Sequence, residues 1–391
     1  MRFSATSLME RQDGQAESLL LRGVEYSTGL SMTLFDLHPK DDPRDLFGRE
    51  EESDEFIRLV KDRRWVVVLG SRMVGKTSLI KSANKTLKRA GFRTIYVSLW
   101  GTRYASELLD ALVRGLNESK DLVERTKDAI SHIRGVSVGP SGVSVSIKEE
   151  PLVAMRELLA AIGSKAGDCV IDLDEVQELS DISGYLLNLL ANTFNTYPNL
   201  VFVFTGSRFG LVRALLEPGP SSPLYGRLPA ELLIQPYDES VAKAFLVKGL
   251  EEHDMRLDGD VIDDVVNRLD GIPGWLALYG NNLTVRKLAH KKAMNETISQ
   301  AEKIVKSELD HFLEGRNREA YLAALKAAAV SARWSEVKGA IEGTRTGTVS
   351  GETVSNVLEG LKAGMLVIEK DQTYRVNDPI LRSLLLTARV T

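Results

Sequence analysis

Strands alternating with helices through the first two-thirds of this chain predict an α/β fold, a parallel sheet covered on both faces. Five apolar, β-branched runs read as its strands: Trp65–Leu69, Thr94–Trp100, Cys169–Leu173, Val201–Thr205 and Glu231–Ile234. Helical patterns separate them at Glu52–Lys61, Thr77–Ala90, Ala105–Asn117, Val153–Ser164, Ser183–Tyr197 and Phe209–Leu216. The first strand also runs straight into a glycine-bearing loop that opens onto an amphipathic helix.

In chain order, residues 1–40 come first. Met1 to Gly29 is polar and lacks an apolar signal core, so a loosely held N-terminal extension is expected. Next comes Gly70-Ser71-Arg72-Met73-Val74-Gly75-Lys76-Thr77-Ser78, the Gly-x-x-x-x-Gly-Lys-Thr pattern of a phosphate loop, or Walker A motif. Gly70 and Gly75 let the backbone curl so that its N–H groups point at phosphate oxygens, and the helix start adds its positive end. Ser71, Arg72, Met73, Val74 and Ser78 complete the cradle. Lys76 would reach the β- and γ-phosphates, and Thr77 would offer its hydroxyl to Mg²⁺.

The third strand continues as Asp172-Leu173-Asp174-Glu175, an apolar run ending in two carboxylates, the Walker B pattern. The carboxyl ends of strands are where such a sheet presents its ligands. Asp174 would hold Mg²⁺, and Glu175 would act as general base on the attacking water. Asp172 is costly inside a strand unless paired. The fourth strand ends in Thr205-Gly206-Ser207-Arg208. Ser207 or Thr205 is the candidate to sense the γ-phosphate, and Arg208 or Arg227 to neutralise transition-state charge.

One insertion interrupts the alternation. Valines alternate with serines from Gly135 to Ile147 around Gly-Pro-Ser-Gly, which predicts a β-hairpin at about 135–147. Its Gly135-Val136-Ser137-Val138-Gly139 also matches Gly-x-Ser-x-Gly, but a hydrolase elbow needs a strand-to-helix turn that a hairpin lacks.

From Tyr237 onward the pattern is helical: Asp238–Glu252, Asp260–Leu269 and Trp275–Leu283, then a long charged helix over Thr284–Glu314. The last segment reads helix Arg318–Val330, helix Ser335–Ile341, helix Gly351–Ala363 and two β runs flanking Lys370 to Thr373. That is the order of a winged helix-turn-helix. The resulting division is 1–40 extension, 41–236 core, 237–283 helical lid, 284–316 connecting helix and 317–391 winged helix.

Composition excludes several classes. With 391 residues and 43% hydrophobic content the chain can build two or three cores. A net charge of −4 supplies no global field toward nucleic acid or membrane. Cys169 is the single cysteine, so an internal disulfide is impossible and a reducing, cytoplasmic setting is expected. The five histidines never cluster at ligand spacing. No apolar run is long enough to span a bilayer.

Together these motifs resemble a known group. Leu46-Phe47-Gly48-Arg49-Glu50 with Glu52, lying before the phosphate loop, resembles the hydrophobic-Gly-Arg-Glu-x-Glu motif of STAND and Orc-type AAA+ ATPases. Gly271-Ile272-Pro273 looks like the Gly-x-Pro of their helical lid. With Asp174 to Leu179, Thr205-Gly206-Ser207 and Ser222 to Arg227, the chain from about Asp41 onward is similar to the archaeal ATPase family of the STAND/AAA+ P-loop superfamily. The resemblance implies sheet order 5-1-4-3-2, a lid and a winged helix. It implies that Phe47, Gly48 and Arg49 line the adenine pocket and that Pro273 packs on the base. Two departures stand out: Met73 occupies a position where many relatives have a second arginine, and Asp172 interrupts the apolar strand. No Asn-Lys-x-Asp guanine signature occurs, since Asn84-Lys85-Thr86-Leu87 fails at its last position, so ATP is expected over GTP.

Three functions fit. The first is an Mg²⁺-dependent ATPase that works as a conformational switch. The second is a DNA-binding initiator or remodelling ATPase. It would contact duplex DNA through the Ser350–Lys362 helix and the 370–373 wing. From Arg316 onward eleven basic residues face eight acidic ones, mildly favourable for phosphate contacts, but Glu352 and Glu359 lie on that helix. The third is a nucleotide-gated defence or signalling scaffold that oligomerises with a protein partner. Monomer and nucleotide-dependent oligomer both remain open.

Overall fold

The computed structural model describes residues 33–146, 150–206, 210–344 and 348–387. The core begins with α1 (Glu50–Lys61), β1 (Val66–Leu69), α2 (Lys76–Arg89) and β2 (Arg93–Ser98). Then come α3 (Ala105–Asn117), α4 (Lys120–Ile130), the hairpin β3 (Val136–Gly139) and β4 (Gly142–Val145), and α5 (Pro151–Lys165). It closes with β5 (Cys169–Asp174), α6 (Ser183–Thr196), β6 (Leu200–Thr205), α7 (Gly210–Leu216) and β7 (Ala230–Leu233). Every residue of β1, β5 and β6 is buried, as strands covered on both faces require.

The five-stranded sheet runs β7-β1-β6-β5-β2, with all neighbouring strands parallel. This numbering differs from the expected 5-1-4-3-2 because β3 and β4 are counted but stand outside the sheet as an antiparallel pair. With those two set aside, the sheet strands follow one another as fifth, first, fourth, third and second along the chain. The hairpin buries Val136 and Val143 against the core, and Asn117 clamps it by bonding both the N–H and the C=O of Val143, each at 2.8 Å.

A helical segment follows: α8 (Glu239–Glu251), α9 (Gly259–Leu269), α10 (Pro273–Thr284) and α11 (His290–Leu313). The expected helix from Thr284 therefore starts later. Lys287 turns left-handed at φ 53°, and Arg286 and Leu288 bond back to Asn281 and Asn282, which ends α10 before α11 begins. The C-terminal part holds α12 (Arg318–Ala329), β8 (Ala332–Arg333), α13 (Trp334–Glu342), α14 (Gly351–Ala363), β9 (Val367–Lys370), β10 (Thr373–Val376) and α15 (Pro379–Leu386). Its small antiparallel sheet is ordered β8-β10-β9. The periodicity did not reveal α4, β8 or α15.

The loose extension expected over Met1–Gly29 lies outside the described residues, whereas residues 33–40 are packed against the rest of the chain. Phe35 is fully buried in the second core, and a Cβ on either Gly249 or Gly280 would come within 2.4 Å of its ring. Farther on, the Lys40 N–H bonds the Ser78 hydroxyl at 3.1 Å. The segment thus ties the helical part to the phosphate-loop helix. Among the described residues no helix is long and apolar enough to cross a membrane.

Candidate functional site

The phosphate loop joins β1 to α2 as expected. Gly75 caps α2 in the left-handed region at φ 98°, where a side chain is disfavoured. The Lys76 Nζ donates to the carbonyls of Gly70 (2.9 Å) and Ser71 (3.2 Å). Burial pushes its ammonium pKa down, with Glu175 and Asp174 pulling the other way. Met73 sits at φ 62° and presents its carbonyl to the Gly274 N–H at 2.9 Å, so the loop's crown touches the start of α10 beside Pro273. A Cβ on Gly274 would stand 2.7 Å from the Met73 Cβ, so only glycine allows this approach. Val74 is buried, and the Ser78 hydroxyl oxygen is taken by Lys40.

Asp174 ends β5 next to this loop. Three hydroxyls hold its carboxylate: Thr77 Oγ1 donates to Oδ2 at 3.0 Å, Tyr96 from β2 also donates to Oδ2, and Thr205 from β6 donates to Oδ1. Thr205 accepts in turn from the Glu175 N–H at 3.0 Å. The ends of β2, β5 and β6 therefore converge on one carboxylate. Burial, and then the Asp174 charge, push the Tyr96 phenol well up, so it stays a donor. Glu175 adopts φ 65°, a left-handed conformation that costs a glutamate on the order of 1 kcal/mol. Such strain collects at functional sites.

Asp172 is fully buried and accepts from Asn84 Nδ2 at 2.6 Å, so its hydrogen-bond partner is an amide. Burial raises its pKa from 3.8 to about 7. Between those values the folded chain holds a proton that the unfolded chain has lost. Stability therefore falls as pH rises through that window, by about 1.4 kcal/mol per unit at most. Asp172→Asn removes the proton and keeps the shape. In urea unfolding the variant is expected to gain on the wild type from about pH 4 to about pH 7 and to level off above. A difference that is flat with pH would refute this.

The residues expected around adenine form a packed corner. Gly48 lies at φ 59°, with Val241 Cγ1 only 2.7 Å from where a Cβ would sit. The Tyr237 hydroxyl donates to the Phe47 carbonyl at 2.5 Å, and Phe47 meets Tyr237 and Phe245 edge-on. Arg49 is a brace. Its guanidinium bonds Glu52 (2.7 Å), the Val74 carbonyl (3.2 Å) and the Gln235 carbonyl (2.6 Å), and stacks on Tyr237 at 4.5 Å. Tyr237 escaped notice in the sequence, where it reads as a lone aromatic after a strand. Ser207 and Arg208 lie outside the described residues. Arg227 bonds the Pro223 carbonyl of its own loop at 2.9 Å.

Helix α11 also reaches the site. Glu308 pairs with Arg72 of the phosphate loop. Arg72 lies over the Trp100 ring at 5.3 Å, and His311 bonds Glu178 at 3.2 Å. Burial holds the Arg72 guanidinium pKa below its usual value. Nothing in the sequence spacing links positions this far apart.

This arrangement, a lysine-bearing loop facing a hydroxyl-held carboxylate at the strand ends, is that of a nucleotide-triphosphate site. A family model described as an ATPase domain predominantly from Archaea matches residues 46–279. The chain belongs to this family. Its ATPase domain is thus a P-loop domain of the archaeal type, and membership of the family supports ATP binding. An uncharacterized ATP-binding protein of Pyrococcus abyssi is 28% identical over 222 residues, 54% of this chain. That match spans 64% of the relative, just under two-thirds of its length. The Walker-type ATPase of Pyrococcus abyssi superposes with a TM-score of 0.73 at 28% identity, over 90% of this chain and 99% of that one. The Orc2 protein of Aeropyrum pernix, solved in ADPNP–ADP complexes, gives 0.59 at 16% identity, over 91% and 98% of the two chains. At that identity the likeness is one of fold.

Proposed function

We propose that the chain is an Mg²⁺-dependent, ATP-hydrolysing switch that couples nucleotide state to its helical lid and C-terminal domain. In this proposal 41–236 is the catalytic core, 237–283 the lid, 284–316 the connecting segment and 317–391 a winged helix. The divalent cation fits the oxygen donors present, the Thr77 hydroxyl beside the Asp174 carboxylate at 3.0 Å. Bound there, it would supply charge neutralisation for the β- and γ-phosphates. Lys76 meets the same phosphates, Glu175 takes the proton of the attacking water, and Pro273 with Phe47 and Gly48 flanks the base. Arg208 or Arg227 neutralises transition-state charge, and Ser207 or Thr205 senses the γ-phosphate.

The observation that supports the switch is the pairing of Arg72 with Glu308. A triphosphate in the loop offers Arg72 a second set of anionic oxygens, so nucleotide and Glu308 compete for one guanidinium. Displacing Glu308 frees α11, which also packs against α15 of the C-terminal domain. Coupling of this kind needs a differential contact in the two states, and Arg72 supplies one. Trp100 is the natural reporter because Arg72 lies on its ring and His311 beside it. Adding ATP with Mg²⁺ is expected to change Trp100 emission, and the change should vanish in Trp100→Phe. Saturating nucleotide that leaves the emission untouched would remove the switch.

The duplex-DNA function has weaker support. On α14 the ammonium of Lys362 is already held by Glu359 at 2.8 Å and by Glu369 at 2.9 Å, which leaves that helix little positive charge to offer phosphates.

A further inference from the structure

Two residues beyond Glu175 stands Gln177, which the hydrolytic machinery above leaves unused. Its side-chain amide donates to Glu175 Oε2. A carboxylate only accepts, so the nitrogen is the atom that faces it and the carbonyl oxygen points away. That oxygen, Oε1, is buried without a hydrogen-bond partner among the described residues. It stands against Gly206, where a Cβ would lie 2.2 Å from it. Gly206 directly follows Thr205, the residue that holds Asp174 and accepts from the Glu175 N–H.

The structure assigns Gln177 as a positioning residue for Glu175, seated in a space that exists because position 206 has no side chain. This rests on hydrolysis as proposed above. Glu175 leaves its strand in a left-handed conformation, so its backbone direction is set by β5 and Thr205, but its side chain still has free torsions. One carboxylate oxygen tied to Gln177 fixes those torsions and leaves Oε1 to accept from water. A base held by a third group is the general form of an activated nucleophile–base pair. Burying a carbonyl without a partner is unfavourable, which argues that the amide is seated there for the contact at its other end. The end of β6 therefore supports both carboxylates of the site, Asp174 through a hydroxyl and Glu175 through the room it gives Gln177.

The test is a double-mutant cycle on the full chain, read as steady-state turnover and ATP affinity. Gln177→Met keeps the bulk and removes the donor. It is expected to lower kcat about tenfold, the worth of one hydrogen bond to a charged group, with ATP affinity unchanged. Gly206→Ala drives a methyl into Oε1 and should lower kcat by a similar factor. In the background of Gln177→Ala, where no oxygen is left to displace, Gly206→Ala should cost only what a side chain at φ 151° costs, clearly less than in the wild-type background. Multiplying effects in the double variant would overturn the seating of Gln177 by Gly206. Full activity in Gln177→Met would overturn the positioning role while leaving hydrolysis intact. Absence of turnover in the wild type would overturn hydrolysis itself and this assignment with it.

Discussion

Glu175→Gln is expected to lower ATP turnover about 10²- to 10⁴-fold, the range a positioned general base contributes. The substitution is nearly isosteric and leaves the hydroxyl cage around Asp174 in place, because Thr77, Tyr96 and Thr205 bond Asp174 and not Glu175. The Glu175 N–H bond to Thr205 belongs to the backbone and survives as well. ATP should therefore still bind within a few-fold of wild type, and the loss should fall on kcat. Steady-state phosphate release alongside an equilibrium binding assay separates the two. If both fall together, the side chain supports the site and does not take the proton. If neither falls, another group is the base.

Lys76→Ala is expected to abolish ATP binding over the concentration range in which the wild type saturates. Its ammonium stands where the backbone carbonyls of Gly70 and Ser71 converge, at the mouth of α2. Burial works against its charge, while Glu175 and Asp174 favour it. Replacing it with alanine leaves those two carboxylates facing a triphosphate with less positive charge between them. A charge-assisted contact to phosphate in a partly desolvated loop is worth about 3 kcal/mol or more, a factor above one hundred in affinity. Calorimetric titration with ATP and Mg²⁺ checks it, with the variant's thermal unfolding as the control for folding. Wild-type affinity in a folded Lys76→Ala protein would remove the phosphate loop from nucleotide binding.

Local signals carry the proposed chemistry. The run from Gly70 to Ser78 and the pair Asp174-Glu175 each carry their role within a few residues, because strand–loop–helix and strand–carboxylate junctions are short-range features of backbone direction. Alternation of apolar runs was enough for the parallel sheet, and the Gly-Pro-Ser-Gly turn for the hairpin. Helix boundaries were less legible: the break at Lys287 depends on a left-handed residue that no composition signal demands.

The support of that chemistry was settled by packing. Tyr96, Thr205 and Thr77 meet at Asp174 only because β2, β5 and β6 lie side by side, which sequence distance does not reveal. Arg49 carries the residue type expected at an adenine pocket, yet its guanidinium is taken by Glu52, Val74 and Gln235. Phe35 lies in no periodic stretch of the sequence and is a core residue, since its cavity is made by two glycines over two hundred positions away. Sequence periodicity reports what a residue needs from its own helix or strand. It is silent on which distant side chain will supply a hydrogen bond or a countercharge. The candidate catalytic groups of this protein are therefore written in its local motifs, whereas their orientation, their neighbours and their link to α11 arise from contacts that only the folded chain brings within reach.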